Sequence, residues 1–378
     1  MRLSWDIFCT VIDNYGDIGV CWRLARQLAQ ERREPVRLWV DDLTAFASLN
    51  PAIDAAASLQ HCDGVEVRHW CSPWVAVVPH AVVIEAFACN PPEAFLAAMA
   101  ASQPKPVWIN LDYLSAEDWI EGCHKLGSRH PRLPLTHYFF FPGFTPATGG
   151  LLREAGLLTQ RAAFNRDEFL QDLGISPPQP AQPLVSLFCY DNPALPTLLQ
   201  HWHLNQCLTL LVADGKPRQQ VEAWLEQPFA VGSSIRLGRL LLHALPFLPQ
   251  PDYDKLLWAC DWNFVRGEDS FVRAQWAGQP LVWHIYPQDD AAHMVKLEAF
   301  LHRYSETLAA PVADNMRAFW RAWNRGDGNA CSAAWPALAA HGPALQQQAI
   351  RWCAQQAERP DLMQQLAAFA TEKSTLPQ

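Results

Sequence analysis

The chain has 378 residues, of which 50% are hydrophobic and 18% are charged, and its formal net charge at pH 7 is -9. This length suffices for two domains with separate cores, and the composition is typical of a soluble globular protein. The acidic balance argues against a nucleic-acid-binding protein, which normally has a basic surface, and the sequence contains no run of about eighteen apolar residues that could span a membrane.

Apolar runs alternate with helical patterns in the first half of the chain, which is the pattern of parallel α/β proteins. The opening MRLSWDIFCT contains Asp6 and therefore predicts a first strand rather than a signal peptide. Between the first two apolar runs, Val20, Leu24 and Leu28 form the apolar stripe of a helix over residues 19–31. The strands predicted in this half cover residues 3–12, 35–40, 80–87 and 105–111.

A proline-rich stretch, ISPPQPAQP at 175–183, is predicted to be a linker, because neither a helix nor a strand continues through its four prolines. The alternation then restarts, with strands predicted at 184–190, 207–213, 262–267 and 280–286 and within LHALPFL, and helices near 194–203, over DYDKLLWAC and at Asp269–Ala277. From residue 291 the pattern is mainly helical. We therefore expect one Rossmann-like domain over 1–175, a second over 184–345, and C-terminal helices over 346–378 that pack back on the first.

The eleven cysteines are scattered along the chain and include no CxxC pair. The sequence therefore predicts neither a zinc site nor a disulfide framework. Reduced thiols in the cytoplasm are the simplest account of this cysteine usage.

The loop after the first predicted strand, VIDNYGDIG, carries Asp13 and Asp17 at the place where open parallel sheets bind their ligands. It contains Gly16 and Gly19 but no GxGxxG pattern, and its carboxylates would repel a pyrophosphate at close range. These residues alone leave two interpretations open. The aspartates cap a helix or shape the loop, or they work as an acid and a base.

The stretch FVRGEDSFVRAQWAGQP predicts a strand that ends near Arg266, a turn, and an amphipathic helix that ends at Gly278. Asp269 and Ser270 are natural N-cap residues, and the first-turn amides and the helix dipole form an anion site. The second domain of a two-domain sugar-nucleotide enzyme would hold the donor pyrophosphate here. Helix capping alone is the alternative role for Glu268, Asp269 and Ser270.

Three further side chains are candidates for contacts with a nucleotide base. Phe247 and Gln250 lie in PFLPQPDYD, on a predicted loop after a strand, and Tyr190 ends the first strand after the linker. An aromatic ring there would stack on a base and an amide would hydrogen-bond to it, whereas packing in the core is the alternative for Phe247 and Tyr190. His284 in LVWHIYP is predicted to be a strand-end histidine whose hydrogen bonds are satisfied, and contact with a ligand is the alternative.

Six motifs, taken in chain order, resemble the protein-arginine rhamnosyltransferases that modify bacterial translation elongation factor P. They are FCTVIDNYGDIGVCWRLARQL, VVIEAFACNPPE, INLDYLSAE, PFLPQPDYDKLLWACDWNFV, RGEDSFVRAQWAGQP and WHIYPQDD. The resemblance covers most of the chain. It implies an inverting glycosyltransferase of the GT-B type, in which two Rossmann-like domains face each other across a cleft. Rhamnose would pass from dTDP-β-L-rhamnose, held by the C-terminal domain, to one arginine of elongation factor P, and the modified factor would support translation of polyproline stretches.

The resemblance also implies roles for individual residues. Asp13 and Asp17 match the catalytic aspartates, and we assign Asp17 as the base and Asp13 as the orienting carboxylate. Glu268 matches an essential glutamate. The other donor contacts are the matched Gln250, Asp269 and Ser270, and the aromatic groups around the thymine are Tyr190 and Phe247. No metal is expected, because helix amides and Arg266 would stabilise the leaving diphosphate.

Two other classes of function compete with this hypothesis. A different GT-B enzyme, such as a sugar-nucleotide epimerase or a transferase with a small-molecule or lipid acceptor, has the same fold. A binding module could also recognise elongation factor P or a nucleotide without turnover. We expect a cytoplasmic monomer whose partners are elongation factor P and dTDP-rhamnose, with no nucleic acid and no membrane partner.

Overall fold

The computed structural model describes residues 2–13, 15–71, 74–177, 182–288 and 291–375. The chain forms two compact units, of which the first is Met1–Ala155 with Gln356–Gln378 and the second is Gly156–Gln355. Each unit contains one mainly parallel β-sheet, so the predicted α/β class is confirmed. In the part of the chain that the structure describes, no helix is both long and apolar enough to cross a membrane.

The elements alternate along the chain as the sequence pattern indicates. Those of residues 1–155 are β1 (Trp5–Cys9), α1 (Gly16–Glu31), β2 (Val36–Val40), α2 (Leu43–Leu49), β3 (Leu59–Cys62), β4 (Val65–His69), β5 (Val82–Ala86), α3 (Glu93–Ala101), β6 (Val107–Leu111), α4 (Trp119–Cys123), β7 (Gly127–Arg129) and β8 (Thr136–Phe140). The second unit continues with α5 (Leu157–Ala162), α6 (Arg166–Asp172), β9 (Leu184–Leu187), α7 (Leu195–Asn205), β10 (Leu208–Val212), α8 (Lys216–Leu225), β11 (Ser234–Leu237), β12 (Leu240–Ala244), α9 (Gln250–Ala259), β13 (Trp262–Arg266), α10 (Asp269–Ala277), β14 (Leu281–His284), α11 (Ala292–Ser305), α12 (Ala310–Asn324), α13 (Gly328–Ala340) and α14 (Gly342–Ala357). The last helix, α15 (Leu362–Thr375), belongs to the first unit.

The sheet of the first unit has the order β3-β4-β2-β1-β5-β6-β8-β7, with antiparallel pairing only at the β3 and β7 edges. Its strands β1, β2, β5 and β6 are fully buried, as expected for central strands of a parallel sheet that is covered on both faces. One face packs against α1 and α15, whose Leu24, Leu28, Leu366 and Phe369 lie in the same apolar core.

The sheet of the second unit has the order β11-β12-β10-β9-β13-β14, in which only the β11–β12 pair is antiparallel. In both units the first strand lies in the middle of the sheet, and the chain later crosses to its other side. Thus β1 pairs with β2 and with β5, and β9 pairs with β10 and with β13. Open α/β sheets bind ligands at such switch points, beyond the carboxyl ends of the strands.

The domain boundaries differ from those expected. Helices α5 and α6 belong to the second unit, because Phe169 and Leu170 of α6 lie in one core cluster with Leu256 of α9. The first boundary therefore follows Ala155 rather than residue 175, and the return to the first unit is at Gln356 rather than residue 346. In the predicted linker 175–183, Ile175 is buried in the same cluster, and residues 178–181 lie outside the described residues.

Five strands have no counterpart among the predicted ones, namely β3, β4, β7, β8 and β11. Strands β3, β7 and β11 lie at sheet edges, and every residue of β7 is exposed. Because edge strands face water and carry polar residues, they lack the continuous apolar run that indicates a buried strand.

Candidate active site

Asp17 organises the loop that precedes its own helix. It is the second residue of α1 and is 2% exposed, and its Oδ2 accepts hydrogen bonds from the backbone N–H groups of Ile12 and Asp13, both at 2.9 Å. A carboxylate in the first helical turn is also stabilised by the helix dipole. Oδ2 of Asp17 therefore has a structural role in the loop, which is one of the two roles predicted for this residue.

The second carboxylate oxygen of Asp17 faces a different partner. The hydroxyl of Tyr113 donates to Asp17 Oδ1 at 3.3 Å, although the two residues are 96 positions apart in the sequence. The ring of Tyr113 is stacked on that of Phe87, with ring centroids 4.3 Å apart and an interplanar angle of 16°. Because Phe87 follows β5 and Tyr113 follows β6, the loops after β1, β5 and β6 meet at Asp17.

Asp13 is more accessible than Asp17 and lies against the start of α1. The N–H of Gly16 donates to the Asp13 carbonyl at 2.6 Å, and a Cβ atom on Gly16 would come within 2.7 Å of Asp13 Oδ2. A glycine at this position therefore lets the Asp13 carboxylate occupy its place beside the helix. The structure thus brings the two aspartates together at the carboxyl end of β1.

The loop after β5 has an unusual backbone. Phe87, Ala88 and Asn90 adopt positive φ values of 57°, 54° and 52°, a region that residues other than glycine occupy rarely. Two buried polar side chains hold this loop, since Asn110 Oδ1 accepts the N–H of Ala88 at 3.2 Å and Glu85 Oε1 accepts the N–H of Asn90 at 3.1 Å. Strained backbone of this kind clusters at functional sites.

Glu85 is only 3% exposed, and its burial raises the pKa of the carboxyl group although the Asn90 N–H and the Trp108 indole N–H donate to it. The motif that contains it, VVIEAFACNPPE, carries part of the family resemblance. The sequence pattern predicts no role for Glu85, Phe87, Asn110 or Tyr113. A glutamate and an asparagine inside apolar strands, at β5 and β6, were the signals that could have pointed to them.

In the second unit, Arg266 and Tyr190 lie together at the carboxyl ends of β13 and β9. The Arg266 guanidinium lies 4.5 Å from the ring centroid of Tyr190 and 4.6 Å from that of Phe188, within the range of a cation–π interaction. Tyr190 is half-buried and also makes edge contacts with the rings of His284 and Tyr286. Neither pure core packing nor full exposure describes Tyr190.

The helix α10 begins as predicted at Asp269, but its N-cap residue is Glu268. The prediction that Asp269 or Ser270 caps the helix is wrong, because the turn at Gly267, with φ of 63°, places both residues inside the helix. The Ser270 hydroxyl donates instead to the carbonyl of Arg266. The Glu268 side chain does not form the N-cap hydrogen bond, so capping alone does not account for it.

Phe247 lies just before α9 and Gln250 lies at its start. Gln250 is its first residue, is 5% exposed, and donates from Nε2 to Asp269 Oδ2 at 3.3 Å, which links the starts of α9 and α10. Phe247 lies in the segment between β12 and α9 and is 39% exposed. Core packing, one of the two roles predicted for Phe247, is therefore wrong.

His284, at the end of β14, is not the satisfied histidine that was predicted. Its Nδ1 is buried and has no hydrogen-bond partner among the described residues. Burial, reinforced by the charge of Arg266, lowers the pKa of His284 to about 3. The imidazole is therefore neutral at physiological pH, packed between the rings of Tyr190 and Trp323.

A buried ion pair that the sequence analysis missed supports this part of the second unit. Asp254 of α9 and Arg273 of α10 form two hydrogen bonds of 2.9 Å and 2.6 Å. Asp252 and Asp254 stand in a D-x-D order, a spacing that could suggest metal ligands, but Asp252 binds Lys255 at 2.9 Å and Asp254 is held by Arg273. Among the described residues, no group of three or more His, Cys, Asp or Glu side chains is arranged to hold a metal ion.

The two units therefore offer different chemistry. The carboxylates at the end of β1 suit a cationic group, because a carboxylate binds a guanidinium through paired, charge-assisted hydrogen bonds. The arginine, the aromatic rings and the helix start at the ends of β9, β13 and β14 suit an anionic ligand with a flat ring system.

Comparison with known proteins points to one family. The family model described as "Elongation-Factor P (EF-P) rhamnosyltransferase EarP" matches residues 5–371. The chain is 52% identical over 373 residues to the protein-arginine rhamnosyltransferase of Pseudomonas aeruginosa, which covers 97% of this chain and 98% of that protein. It is 41% identical over 383 residues to the Shewanella oneidensis protein of the same name, with 97% of both chains covered.

Solved structures agree with the sequence comparisons. The structure described as "Structural basis for EarP-mediated arginine glycosylation of translation elongation factor EF-P" matches with a TM-score of 0.68 and 38% identity, covering 99% of this chain and 100% of that one. The Phytolacca americana UGT2 complexed with UDP-2fluoro-glucose and pterostilbene matches with a TM-score of 0.55 and 11% identity, again over 99% and 100% of the two chains. At that identity the second match concerns the fold alone, and together they confirm the GT-B class.

Proposed function

The chain belongs to the EarP family of elongation factor P rhamnosyltransferases, and on this premise we propose that it transfers rhamnose from dTDP-β-L-rhamnose to an arginine side chain of elongation factor P, with inversion at the anomeric carbon. The observation that carries the proposal is the aspartate pair Asp13 and Asp17 at the switch point of the first sheet. The loop at this point carries two carboxylates instead of a glycine-rich phosphate-binding pattern. Carboxylates attract a cationic acceptor such as a guanidinium group.

The acceptor half of the reaction needs a proton acceptor. A guanidinium group stays protonated at neutral pH, with a pKa above about 12, and is a poor nucleophile. In our proposal Asp17 takes a proton from one nitrogen as that nitrogen attacks the anomeric carbon, and Asp13 orients the guanidinium. The new N–C bond forms on the face of the anomeric carbon opposite the C–O bond to the diphosphate. That C–O bond breaks, and dTDP leaves with its electron pair.

The donor half of the reaction needs stabilisation of the leaving dTDP. We assign the diphosphate to Arg266, Ser270 and the first-turn amides of α10, because a guanidinium and helix N–H groups stabilise developing negative charge. Gln250, Glu268 and Asp269 are assigned as further donor contacts, and Tyr190 and Phe247 as the aromatic rings around the thymine. No step in this proposal requires a metal ion.

Mass spectrometry tests the proposed function. Elongation factor P is incubated with the protein and dTDP-rhamnose, and its arginine-containing peptides are then analysed. We expect one added deoxyhexose on one arginine. An unmodified factor would exclude the transfer, whereas a changed sugar nucleotide beside an unmodified factor would indicate an epimerase. We place the reaction in the cytoplasm and assign it to a monomer, which size-exclusion chromatography with light scattering would check.

A further inference from the structure

We propose that Tyr113 is a positioning residue for the Asp17 carboxylate, and that the loop Phe87–Asn90 holds Tyr113 in place. The inference rests on the proposed function in one respect, namely that Asp17 accepts the acceptor proton. The observation behind it is that the Tyr113 hydroxyl donates a hydrogen bond to Asp17 Oδ1 at 3.3 Å.

The two oxygens of Asp17 are held by different parts of the unit. Oδ2 is fixed by the N–H groups of Ile12 and Asp13 within its own loop. Oδ1 is the oxygen left to take a proton, and the hydrogen bond to it that is described above comes from Tyr113, beyond the end of β6. A hydrogen-bond donor favours the charged form of a carboxylate, which is the form that acts as a base.

The position of the Tyr113 hydroxyl depends on its ring, and the ring depends on Phe87. The two rings are nearly parallel at 16°, and Phe87 is only 8% exposed. The Phe87 N–H donates to the carbonyl of Leu111 at 2.7 Å, which ties the end of β5 to the end of β6, two residues before Tyr113. The stack therefore sets the plane in which the hydroxyl lies.

The backbone that presents Phe87 is strained, and polar side chains hold it. Positive φ at Phe87 and at Ala88 is unfavourable in free energy, because residues other than glycine rarely adopt it. Asn110 and Glu85, each 3% exposed, offset this cost by accepting N–H groups of the loop. Because a buried carboxylate and a buried amide both hold this short loop, we infer that its conformation matters for the Tyr113 ring that Phe87 contacts.

The test is Tyr113→Phe, which removes the hydroxyl and keeps the ring. We expect kcat for rhamnosyl transfer to fall about tenfold, because the lost hydrogen bond is to a charged group. The KM for elongation factor P, the affinity for dTDP-rhamnose and the thermal midpoint should stay unchanged. The acidic limb of the pH–rate profile should move to higher pH, since the charged form of the carboxylate loses a donor.

The matched control is Tyr138→Phe on β8, whose ring packs against Phe369 on α15, and it should leave the rate and the pH profile unchanged. A second variant, Phe87→Leu, keeps an apolar side chain but removes the stack, and it should lower kcat in the same direction. Wild-type kcat and an unmoved pH profile in Tyr113→Phe would overturn the inference. So would a loss of rate that accompanies a lower thermal midpoint with no shift of the profile.

Asp17→Asn separates this inference from the function on which it rests. If Asp17→Asn abolishes transfer while Tyr113→Phe is fully active, the base assignment stands and the positioning role of Tyr113 fails. If Asp17→Asn keeps transferring rhamnose, the base assignment fails and the inference fails with it.

Discussion

Arg273 and Asp254 form a buried, two-hydrogen-bond ion pair that joins α10 to α9, with N–O distances of 2.9 Å and 2.6 Å. Both side chains are almost fully buried, at 2% and 6% exposure. These helices carry Gln250, Glu268, Asp269 and Ser270 at or next to their starts, so the pair fixes the framework of the proposed donor site.

Breaking this pair should destabilise the protein strongly. Asp254→Asn removes the carboxylate charge that binds the buried Arg273 guanidinium through two hydrogen bonds, and we expect the free energy of unfolding to fall by about 3–5 kcal/mol. Asp252→Asn, in the same helix, breaks an exposed pair with Lys255 and should cost less than about 1 kcal/mol. Urea denaturation of both variants measures the difference, and equal costs would contradict the structural role.

Asp17→Asn and Glu268→Ala should separate proton transfer from donor binding. Asparagine keeps an oxygen for the Ile12 and Asp13 N–H groups but is not a base, so we expect near-complete loss of transfer with little change in dTDP-rhamnose affinity. Glu268→Ala should lose rhamnosyl transfer and should also bind dTDP-rhamnose more weakly. Calorimetric titration of the donor and a rhamnosylation assay provide the two readouts.

A control tests whether Asp17 only shapes its loop. Asp42 caps α2 by accepting the N–H groups of Thr44 and Ala45, both at 2.9 Å. Asparagine is as good a cap as aspartate, so Asp42→Asn should be fully active. Full activity of Asp17→Asn as well would assign Asp17 the same purely structural role.

Gly16→Ala should impair catalysis without destabilising the fold. The added methyl would approach Asp13 Oδ2 to 2.7 Å and displace that carboxylate, and a small displacement of a catalytic group costs roughly tenfold or more in rate. Gly122→Ala in α4 meets nothing within 4 Å and should have wild-type activity. Thermal unfolding should show no loss for either variant, because alanine favours a helix over glycine. A wild-type rate for Gly16→Ala would remove Asp13 from the orienting role.

His284 should make stability depend on pH below neutrality. The pKa of His284 is about 3 in the folded protein, because of burial and the charge of Arg266, against 6.5 for an ordinary histidine. Below pH 6.5 the unfolded chain therefore binds a proton at His284 that the folded protein does not. The free energy of unfolding is not reduced by His284 above pH 6.5, and it falls as the pH decreases from 6.5 toward 3. Between pH 7.5 and 5.5 the loss from this residue should be about 1.4 kcal/mol.

The variant His284→Gln checks this dependence, because glutamine does not titrate. Denaturant titrations of both proteins without nucleotide at pH 7.5 and 5.5 give the difference. If the variant loses as much stability on acidification as the wild type, another group is responsible.

Transfer should not depend on a divalent metal ion. The proposed stabilisation of the leaving dTDP comes from Arg266 and helix N–H groups, and the D-x-D aspartates have other partners. The rate should therefore be unchanged after treatment with a chelator such as EDTA. A loss of rate that Mg²⁺ or Mn²⁺ restores would overturn this assignment.

The sequence by itself determined the α/β class and most of the central elements. Mainly apolar runs such as WDIFC and VWINL became β1 and β6, and the helix at Asp269–Ala277 has the predicted bounds. Local pattern suffices for these elements, because a strand that is buried on both faces is apolar at most of its positions. The same local pattern drew attention to Asp13, Asp17 and Ser270, which are polar residues at the ends of apolar runs.

Only the tertiary structure decided which distant residues meet. Tyr113 reaches Asp17 because β6 lies two strands from β1 in the sheet, and Asp254 reaches Arg273 because α9 and α10 pack together. Neither pair leaves a periodic signal in the sequence, since its members belong to different elements. The order of strands and the packing of helices depend on the free energy of the whole core. Contacts made across that core are therefore not encoded in any single stretch of the chain.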